Sequence, residues 1–594
     1  MFREVQGRFR SANDSAGDRG HPPAALREAE LPMREWGGLA RAGALELFAG
    51  EQGAFGDASP RADRTGARRD GTLSPGPREN RRAGQRGARH AGGEPAVPSL
   101  SEADAFGASD ALYDGLVGLL RGAEASGFTH DELETRLDVD GRELCRQLLQ
   151  DHFDLRATRE RRVGSVNDAQ GVVHRAVESG HHRVLETIFG EVTIARLAYR
   201  AKGSENLHRQ DAALNLPAGR HSYGLSERCA IEATRGSYEE AKAAIERSSG
   251  IALAKRQVES LARRAAIDVE SFYDNVQRRP AGKTDTLVIT CDGKGIVMRP
   301  DALRPGTKKA ATQATHKLKT RLSRGEKKDR KRMAELAVVY DCSPVPRRAT
   351  DILARAEDGP KPEAPVARVK WCTASVATDA REVIKAAFDE AQRRDPGHER
   401  PFVALVDGAK HQIDVIRAEA RRRHMPVTIV VDVIHVLEYL WGAARCFFGE
   451  TDPASEAFVA EKALAVLEGR AGIVAGAIAR KATMLGLSPE ARKKVDECAS
   501  YLKNKAPYLD YPNALAKGWP IATGVIEGAC AHLVRDRFDI TGARWSLDGA
   551  EAMLKLRAVR TNGDWDNYWQ HHLVAERKRL HESRYLDGLI PAAA

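Results

Sequence analysis

The chain has 594 residues, of which 42% are hydrophobic, 30% charged and 6% aromatic. That is an ordinary composition for a protein with enough length to bury several cores in water. The opening MFREVQGRFR is followed by no apolar stretch fit for a signal peptide, and apolar runs such as 427–431 and 473–478 fall far short of a bilayer span, so neither secretion nor a membrane partner is expected. Lys plus Arg number 93 against 83 for Asp plus Glu, a net charge of +10, which makes a polyanion the first partner to consider. Eight cysteines lie scattered with no C-x-x-C pair. This argues for reduced thiols in a cytosol and against both a disulfide scaffold and a cysteine-only zinc site.

Residues 1–100 contain 16 Gly, 8 Pro and 16 Arg, and the part from Asp63 to Pro95 shows no apolar periodicity. Such a segment cannot offset its ordering entropy by burial, so it is predicted to be a disordered low-complexity extension, or a tail without function from an upstream start. Residues 101–200 read as a helical region plus a β-hairpin. Ala111, Leu112, Leu116, Leu119 and Leu120 recur at helical spacing, as do Leu133, Leu137, Leu144, Leu148 and Leu149. From Val184 to Tyr199, β-branched and aromatic residues flank Gly190 as in a hairpin.

In residues 201–280, Gly236 closes one helix, and Ser237 with Glu240 three residues on forms a reciprocal capping pair at the start of the next. That helix, Tyr238 to Arg247, stops at Ser248-Ser249-Gly250. Another starts near Ala254, with Val258, Leu261 and Ala265 inward and Lys255, Arg256, Gln257, Arg263 and Arg264 outward. Two short helices joined by a Gly-containing turn, the second basic, are predicted to form a helix-turn-helix that presents Lys255, Arg256 and Gln257 to DNA. Any solvated helical hairpin would share this pattern.

Residues 281–435 change to an α/β pattern. Thr286 to Thr290 is a buried-strand run delivering Asp292 into an expected turn, Asp292-Gly293-Lys294-Gly295. Strands at 336–340 and 369–376 follow, then a helix at 379–393, a strand at 402–406 ending in Asp407-Gly408, a helix at 411–423 and a strand at 427–431 ending in Asp432. Three strands, helix, strand, helix, strand is the order of a ribonuclease-H-like fold. A carboxylate just after an apolar run sits at a sheet edge facing solvent, so Asp292 and Asp407 form a candidate pair of metal ligands. Either Asp-Gly alone would be ordinary turn chemistry.

A third acid is expected from a later helix. Thr523 is read as the N-cap of a helix that sets Glu527 among small neighbours, Gly528 and Ala531, which let a metal and a backbone approach closely. The long gap between Asp432 and Thr523 demands a helical insertion at 436–519, and the stretches 438–446, 454–485 and 489–502 have helical periodicity. Residues 520–560 then return to the catalytic domain with the acidic helix, and 561–594 read as a helical C-terminal tail.

Between 308 and 332 stand eleven Lys or Arg against two acids, with no aromatic residue, a pattern for backbone contact with DNA rather than base stacking. Its members include Lys317, Lys319, Arg321, Lys327, Lys328, Lys331 and Arg332. Arg535, Arg537 and Arg544 extend the positive surface past Glu527. Trp545, Trp565 and Trp569 are expected in the core.

The segments TCDGKGIVMRPDALR (290–304), HKLKTRLSRGEKKDRKRMAELAVVYD (316–341), FVALVDGAKHQID (402–414), VVDVIHVLEYLW (430–441) and GWPIATGVIEGACAHLVRDRFDITGARW (518–545) resemble bacterial insertion-sequence transposases of the ISKra type, distant relatives of the Mutator-like enzymes. The likeness extends at lower strength from about 105 to 590. It implies a DDE transposase in which Asp292, Asp407 and Glu527 are the three catalytic acids, and Asp432 with His435 is similar to the Asp/Cys-x-x-His signature of Mutator-like enzymes. No Cys or His at ligand spacing completes a zinc set around them, so a structural or DNA-orienting role is expected of that pair.

Three hard oxygen donors suit two Mg²⁺ or Mn²⁺ ions, with Asp292 common to both, which would activate water and then a DNA 3′-hydroxyl. The expected partners are double-stranded DNA, as terminal inverted repeats and target, and further copies of the chain on paired ends. The expected location is the cytoplasm, at the bacterial nucleoid. The alternatives are a metal-dependent structure-specific nuclease of the same fold, or a non-catalytic DNA-binding protein derived from a mobile element.

Overall fold

The computed structural model describes residues 105–278, 282–313, 330–354, 363–449, 451–540 and 542–592. The expected disorder of 1–100 therefore lies outside the described residues, as do Lys317, Lys319, Arg321, Lys327 and Lys328. Among the described residues no helix is long and apolar enough to cross a membrane.

Two helices come first, α1 (Gly107–Arg121) and α2 (His130–Arg159). The C-terminal half of α2 sets Phe153 against Leu185, Val192 and Ile194 of an antiparallel hairpin, β1 (Ala176–Thr187) and β2 (Gly190–Arg200). After a short helical turn at Arg209–Ala213, four helices follow: α3 (Tyr223–Arg235), α4 (Tyr238–Ser249), α5 (Lys255–Arg264) and α6 (Val269–Asn275). At the head of α4 the Ser237 hydroxyl accepts from the Glu240 N–H at 3.1 Å, and the Glu240 carboxylate accepts from the Ser237 N–H at 2.6 Å. Two of the donors left over at the helix start are thereby satisfied. Gly250, at φ 69°, ends α4 in the left-handed region that glycine adopts without strain. On α5, Val258 and Ala262 are buried, whereas Leu261 is only half-buried.

The centre is mixed α/β, built on a five-stranded sheet: β3 (Thr286–Val297), β4 (Lys331–Cys342), β5 (Ala367–Ser375), β6 (Phe402–Val406) and β7 (Thr428–Val431). The spatial order is β5-β4-β3-β6-β7. The first three strands form an antiparallel meander; β6 lies parallel to β3, and β7 parallel to β6. Two crossover helices, α7 (Ala380–Arg394) and α8 (Lys410–Arg423), cover one face, where Phe388, Ile384 and Ile416 meet Leu287, Ile289 and Ala404. The opposite face, with Val288, Leu336, Val403 and Leu405, belongs to a second core shared with the remaining helices.

The expected turn at Asp292 to Gly295 does not form. Strand β3 runs straight through these residues, pairing Asp292 with Leu336, Gly293 with Glu335 and Gly295 with Met333. The glycines serve cross-strand packing instead: a Cβ on Gly293 would come 3.0 Å from the Met333 methyl, and one on Gly295 would come 2.8 Å from the Lys331 stem.

After β7 the chain is helical: α9 (Val433–Ala444), α10 (Pro453–Leu467), α11 (Ala471–Met484), α12 (Lys493–Lys505) and a short turn, Tyr511–Ala516. The single periodic stretch 454–485 is two helices. Gly469 takes φ +83° between them, with the Pro512 ring close enough that a Cβ would meet it at 3.2 Å. The acidic helix α13 (Gly524–Ala529) continues through a π turn at Cys530–Arg535, and α14 (Leu547–Thr561) and α15 (Trp565–Leu580) complete the chain.

The C-terminal residues are not a detached tail. The Asn562 side-chain amide accepts from the Cys372 N–H at 2.7 Å and donates to the Cys372 carbonyl at 3.0 Å, so it occupies the open edge of β5 as a strand would. Glu551 of α14 accepts from the Val376 and Ala377 N–H groups at 2.9 and 3.0 Å. An edge strand leaves backbone groups that need partners, and these two side chains supply them. Trp545 and Trp569 are buried and Trp565 half-buried, all against this core.

Candidate active site

Strands β3 and β6 pair Leu287 with Phe402 and Thr290 with Leu405. Continuing that register by two residues sets Asp292 beside Asp407. Strands β6 and β7 pair Val406 with Val431, and the Asp432 N–H donates to the Val406 carbonyl at 2.8 Å, so Asp432 stands next in the same row. Three acids thus align across three neighbouring strands at the carboxyl ends of β6 and β7. Between β3 and β6 the chain connections turn in opposite directions, the usual place for ligands in such sheets.

Side chains alternate between sheet faces. Val288, Val403 and Leu405 lie in the core that also holds Ile526, Cys530 and Leu533 of the acidic helix, so Asp292 and Asp407 face that helix. Contact is direct: the Cys530 thiol donates to the Asp292 carboxylate at 3.4 Å. Glu527 lies one turn before Cys530, half-buried, and its charge acts on both Cys530 and Asp432. Burial, together with Asp292 and Glu527, pushes the Cys530 thiol far up, so it is a neutral donor.

Asp292 and Asp407 differ in their local chemistry. The Asp407 carboxylate accepts from the Ala409 N–H at 2.7 Å, and Gly408 takes φ +95° beside the Tyr501 hydroxyl, so at this position the Asp-Gly turn does form. The Tyr501 hydroxyl donates to the Asp407 carbonyl at 3.0 Å, and its ring stacks on Tyr439 with centroids 4.0 Å apart. Asp292 instead interrupts an apolar strand at the point where β6 has ended, which leaves its carboxylate half-exposed rather than sealed in the sheet.

Asp432 is fully buried. One carboxylate oxygen accepts from the Ile434 N–H at 2.9 Å, capping α9; the other accepts from the Thr523 hydroxyl. Thr523 therefore caps its helix with its carbonyl, taking the Ile526 and Glu527 N–H groups at 3.0 and 3.3 Å, while its side chain turns away to Asp432. Burial, with the charge of Glu527 adding, pushes the Asp432 carboxyl up to about 6 against the two hydrogen bonds. His435 contacts Glu438 at 3.3 Å. That contact, with Asp432 and Asp407 nearby, holds its imidazole up at about 9, so it is a cation at neutral pH.

Cys530, Tyr501 and the hydroxyl role of Thr523 were missed in the sequence. The i, i+3 spacing of Glu527 and Cys530 was a usable signal for the first; nothing in the linear order announced the other two.

Among the described residues, the histidine, cysteine and acid ligand atoms that gather within 4.8 Å of one another lie elsewhere, at Asp268, His572 and Glu576. These are buried, but their charge is already met. Arg264 and Arg579 both bond Glu576, Arg579 also bonds Asp268, and the His572 ring lies 2.7 Å from Asp268. Two guanidiniums in contact leave no net negative charge for a cation, so the cluster is an ion-pair core joining α5 to α15.

The basic candidates separate by environment. Lys255, Arg256, Lys331 and Arg544 are exposed, and Arg535 is half-buried. Gln257 is committed, since its carbonyl oxygen accepts from the Ala254 N–H at 2.7 Å and closes the start of α5. Arg332 donates to the carbonyls of Val376, Ala302 and Ala377 at 2.8, 3.2 and 3.2 Å, a strut between strand ends. Arg537, expected on the surface, is buried between the Tyr238 and Trp545 rings and donates to the Ala233 carbonyl at 2.8 Å. In the described ends of the basic connection, Val297 pairs with Lys331, five residues past Asp292, or about 17 Å along the strand.

The chain matches no family model and no curated protein.

Proposed function

We propose that the protein is a DDE-type DNA transposase, similar to the ISKra type, that cleaves and joins DNA at the ends of an insertion sequence. The observation that carries this reading is the shared row of Asp292 and Asp407 on parallel strands, with the Glu527 helix packed on the same face. An antiparallel meander followed by two parallel strands supports a ribonuclease-H-like catalytic domain, and the helices between β7 and α13 support its interruption by an insertion. The α4–α5 pair, with Lys255 and Arg256 exposed at the head of α5, supports a helix-turn-helix role in DNA contact.

Asp292, Asp407 and Glu527 fit hard divalent cations, Mg²⁺ or Mn²⁺, because all three offer carboxylate oxygens and the nearest thiol is held neutral. On this reading the three acids would hold two such ions between them. Bound there, such ions would supply charge neutralisation for the attacking and leaving oxygens of a phosphodiester. The chain's own part is to hold the acids in one row and to offer a cationic rim, with His435 beside Asp407 and Lys331 and Arg544 outward. Further copies of the chain on paired DNA ends, and a place at the bacterial nucleoid, belong to the same reading.

The test is incubation of the full chain with DNA bearing the element's inverted termini and Mg²⁺. End cleavage followed by strand joining, lost in Asp292→Asn, supports a transposase. Cleavage of branched DNA without joining would make it a nuclease, and terminal binding indifferent to Mg²⁺ a binding protein.

A further inference from the structure

We propose that Asp432 is a positioning residue: acting through Thr523, it holds the acidic helix, and with it Glu527, in place over the row formed by Asp292 and Asp407. The proposal rests on the transposase reading for its catalytic consequence, but not for its structural content. A carboxylate buried at the end of an apolar strand is retained only if its oxygens are satisfied, and both are. One oxygen binds the first turn of α9, where the chain leaves the sheet; the other binds Thr523, where the chain comes back.

Asp432 and Thr523 are 91 residues from each other in sequence, so a single side chain fastens the departure and the return of the whole helical segment. The Val433 N–H reinforces it by donating to the Ile521 carbonyl at 2.9 Å, and the Tyr511 hydroxyl by donating to the Val431 carbonyl at 2.8 Å. The carbonyl of Thr523 carries the placement onward, since it accepts the N–H of Glu527 itself. Rotation or withdrawal of Thr523 therefore moves the backbone of the acid. Ile526 and Cys530 hold the helix against the core, while its N-terminal end, the end that carries Glu527, is fixed through Thr523. Supporting groups of this kind typically change activity or metal affinity by about 10–100-fold when removed.

The experiment has two arms on the full-length protein. Amide hydrogen exchange is followed across 524–530 in Asp432→Asn, Thr523→Val and the double variant. Exchange there is expected to rise about tenfold or more in each variant while 286–297 stays protected, and Thr523→Ser is expected to restore protection. Wild-type exchange in Thr523→Val would overturn the proposal.

In the second arm, Mg²⁺-activated DNA cleavage is expected to fall about 10–100-fold. The metal needed for half-activation should rise, DNA affinity should be kept, and the double variant should be no worse than the poorer single one. Unchanged metal activation, or multiplied losses in the double variant, would also overturn it. If exchange rises as expected but the wild-type protein cleaves nothing, the fastening stands and the transposase reading falls.

Discussion

Asp292 on β3 and Asp407 just past the end of β6 fall in one row when the parallel register that pairs Leu287 with Phe402 and Thr290 with Leu405 is continued by two residues. The row sets both carboxylates on the face covered by the Glu527 helix, the arrangement on which the proposed function rests.

Asn at 292 or 407, or Gln at 527, keeps the shape of the side chain and removes its charge. Each substitution is expected to lower DNA cleavage by at least about a thousandfold, roughly 4 kcal/mol of transition-state stabilisation, with binding to terminal DNA retained. Single-turnover cleavage beside a mobility-shift titration checks this, and a variant with near-normal rate would remove that acid from the site.

The Asp432 carboxyl sits at about 6, above its ordinary 3.8. The folded state therefore holds this proton more tightly than the unfolded chain does. The associated stability is fully present below about 3.8 and is lost as pH rises through 6. Relative to Asp432→Asn, which cannot titrate, the wild-type protein should lose stability between pH 4 and pH 7. Urea denaturation of both across that range reads the slope, and an opposite or flat difference counts against the assignment.

Glu576 is fully buried and bonded by Arg264 and Arg579. Its replacement by Ala should destabilise the protein by about 1.5–3 kcal/mol, because Arg264 loses its carboxylate and Arg579 keeps only Asp268. Added Mg²⁺ or Zn²⁺ should leave the wild-type contribution of this cluster untouched. A melting temperature that rises with metal in the wild type but not in Glu576→Gln would restore it as a metal site.

Lys255 and Arg256 are exposed, whereas Arg332 spends its donors on three carbonyls. Replacing the first two with Ala should weaken DNA binding and lessen its salt dependence by about 0.9 log units for each phosphate no longer neutralised. Arg332→Ala should lower the melting temperature and leave the salt slope unchanged. A salt titration of binding next to thermal denaturation separates the two, and a changed slope for Arg332→Ala would return it to the DNA surface.

Much of the sheet was legible because apolar runs such as TLVIT and FVALV have only one stable use, a buried strand, and because the acids interrupt them at their ends. The capping pair at Ser237 and Glu240 was legible for the same local reason. The turn assigned to Asp292 to Gly295 failed because Gly in Asp-Gly-Lys-Gly has two uses, bending a chain or admitting a neighbour's side chain, and only the opposing strand distinguishes them. Arg332 and Arg537 looked like surface charge. What removed them from the surface was carbonyl groups and rings contributed by distant segments, which no local pattern encodes, whereas Gln257 turns back to the Ala254 N–H three residues away. The C-terminal helices read as a tail because the strand edge that Asn562 completes lies far back in the sequence.

The bond from the Val433 N–H to the Ile521 carbonyl brings the two ends of a long helical stretch to a fixed separation. Closing a segment across such a gap costs entropy that grows only with the logarithm of its length, about 0.6 kcal/mol per doubling. The stretch can therefore lengthen, shorten or be exchanged for another fold with little change in that closure cost. Within the stretch, Tyr501 and Tyr511 bond the Asp407 and Val431 carbonyls, so the parts away from these two contacts are the natural place for descendants of the chain to diverge.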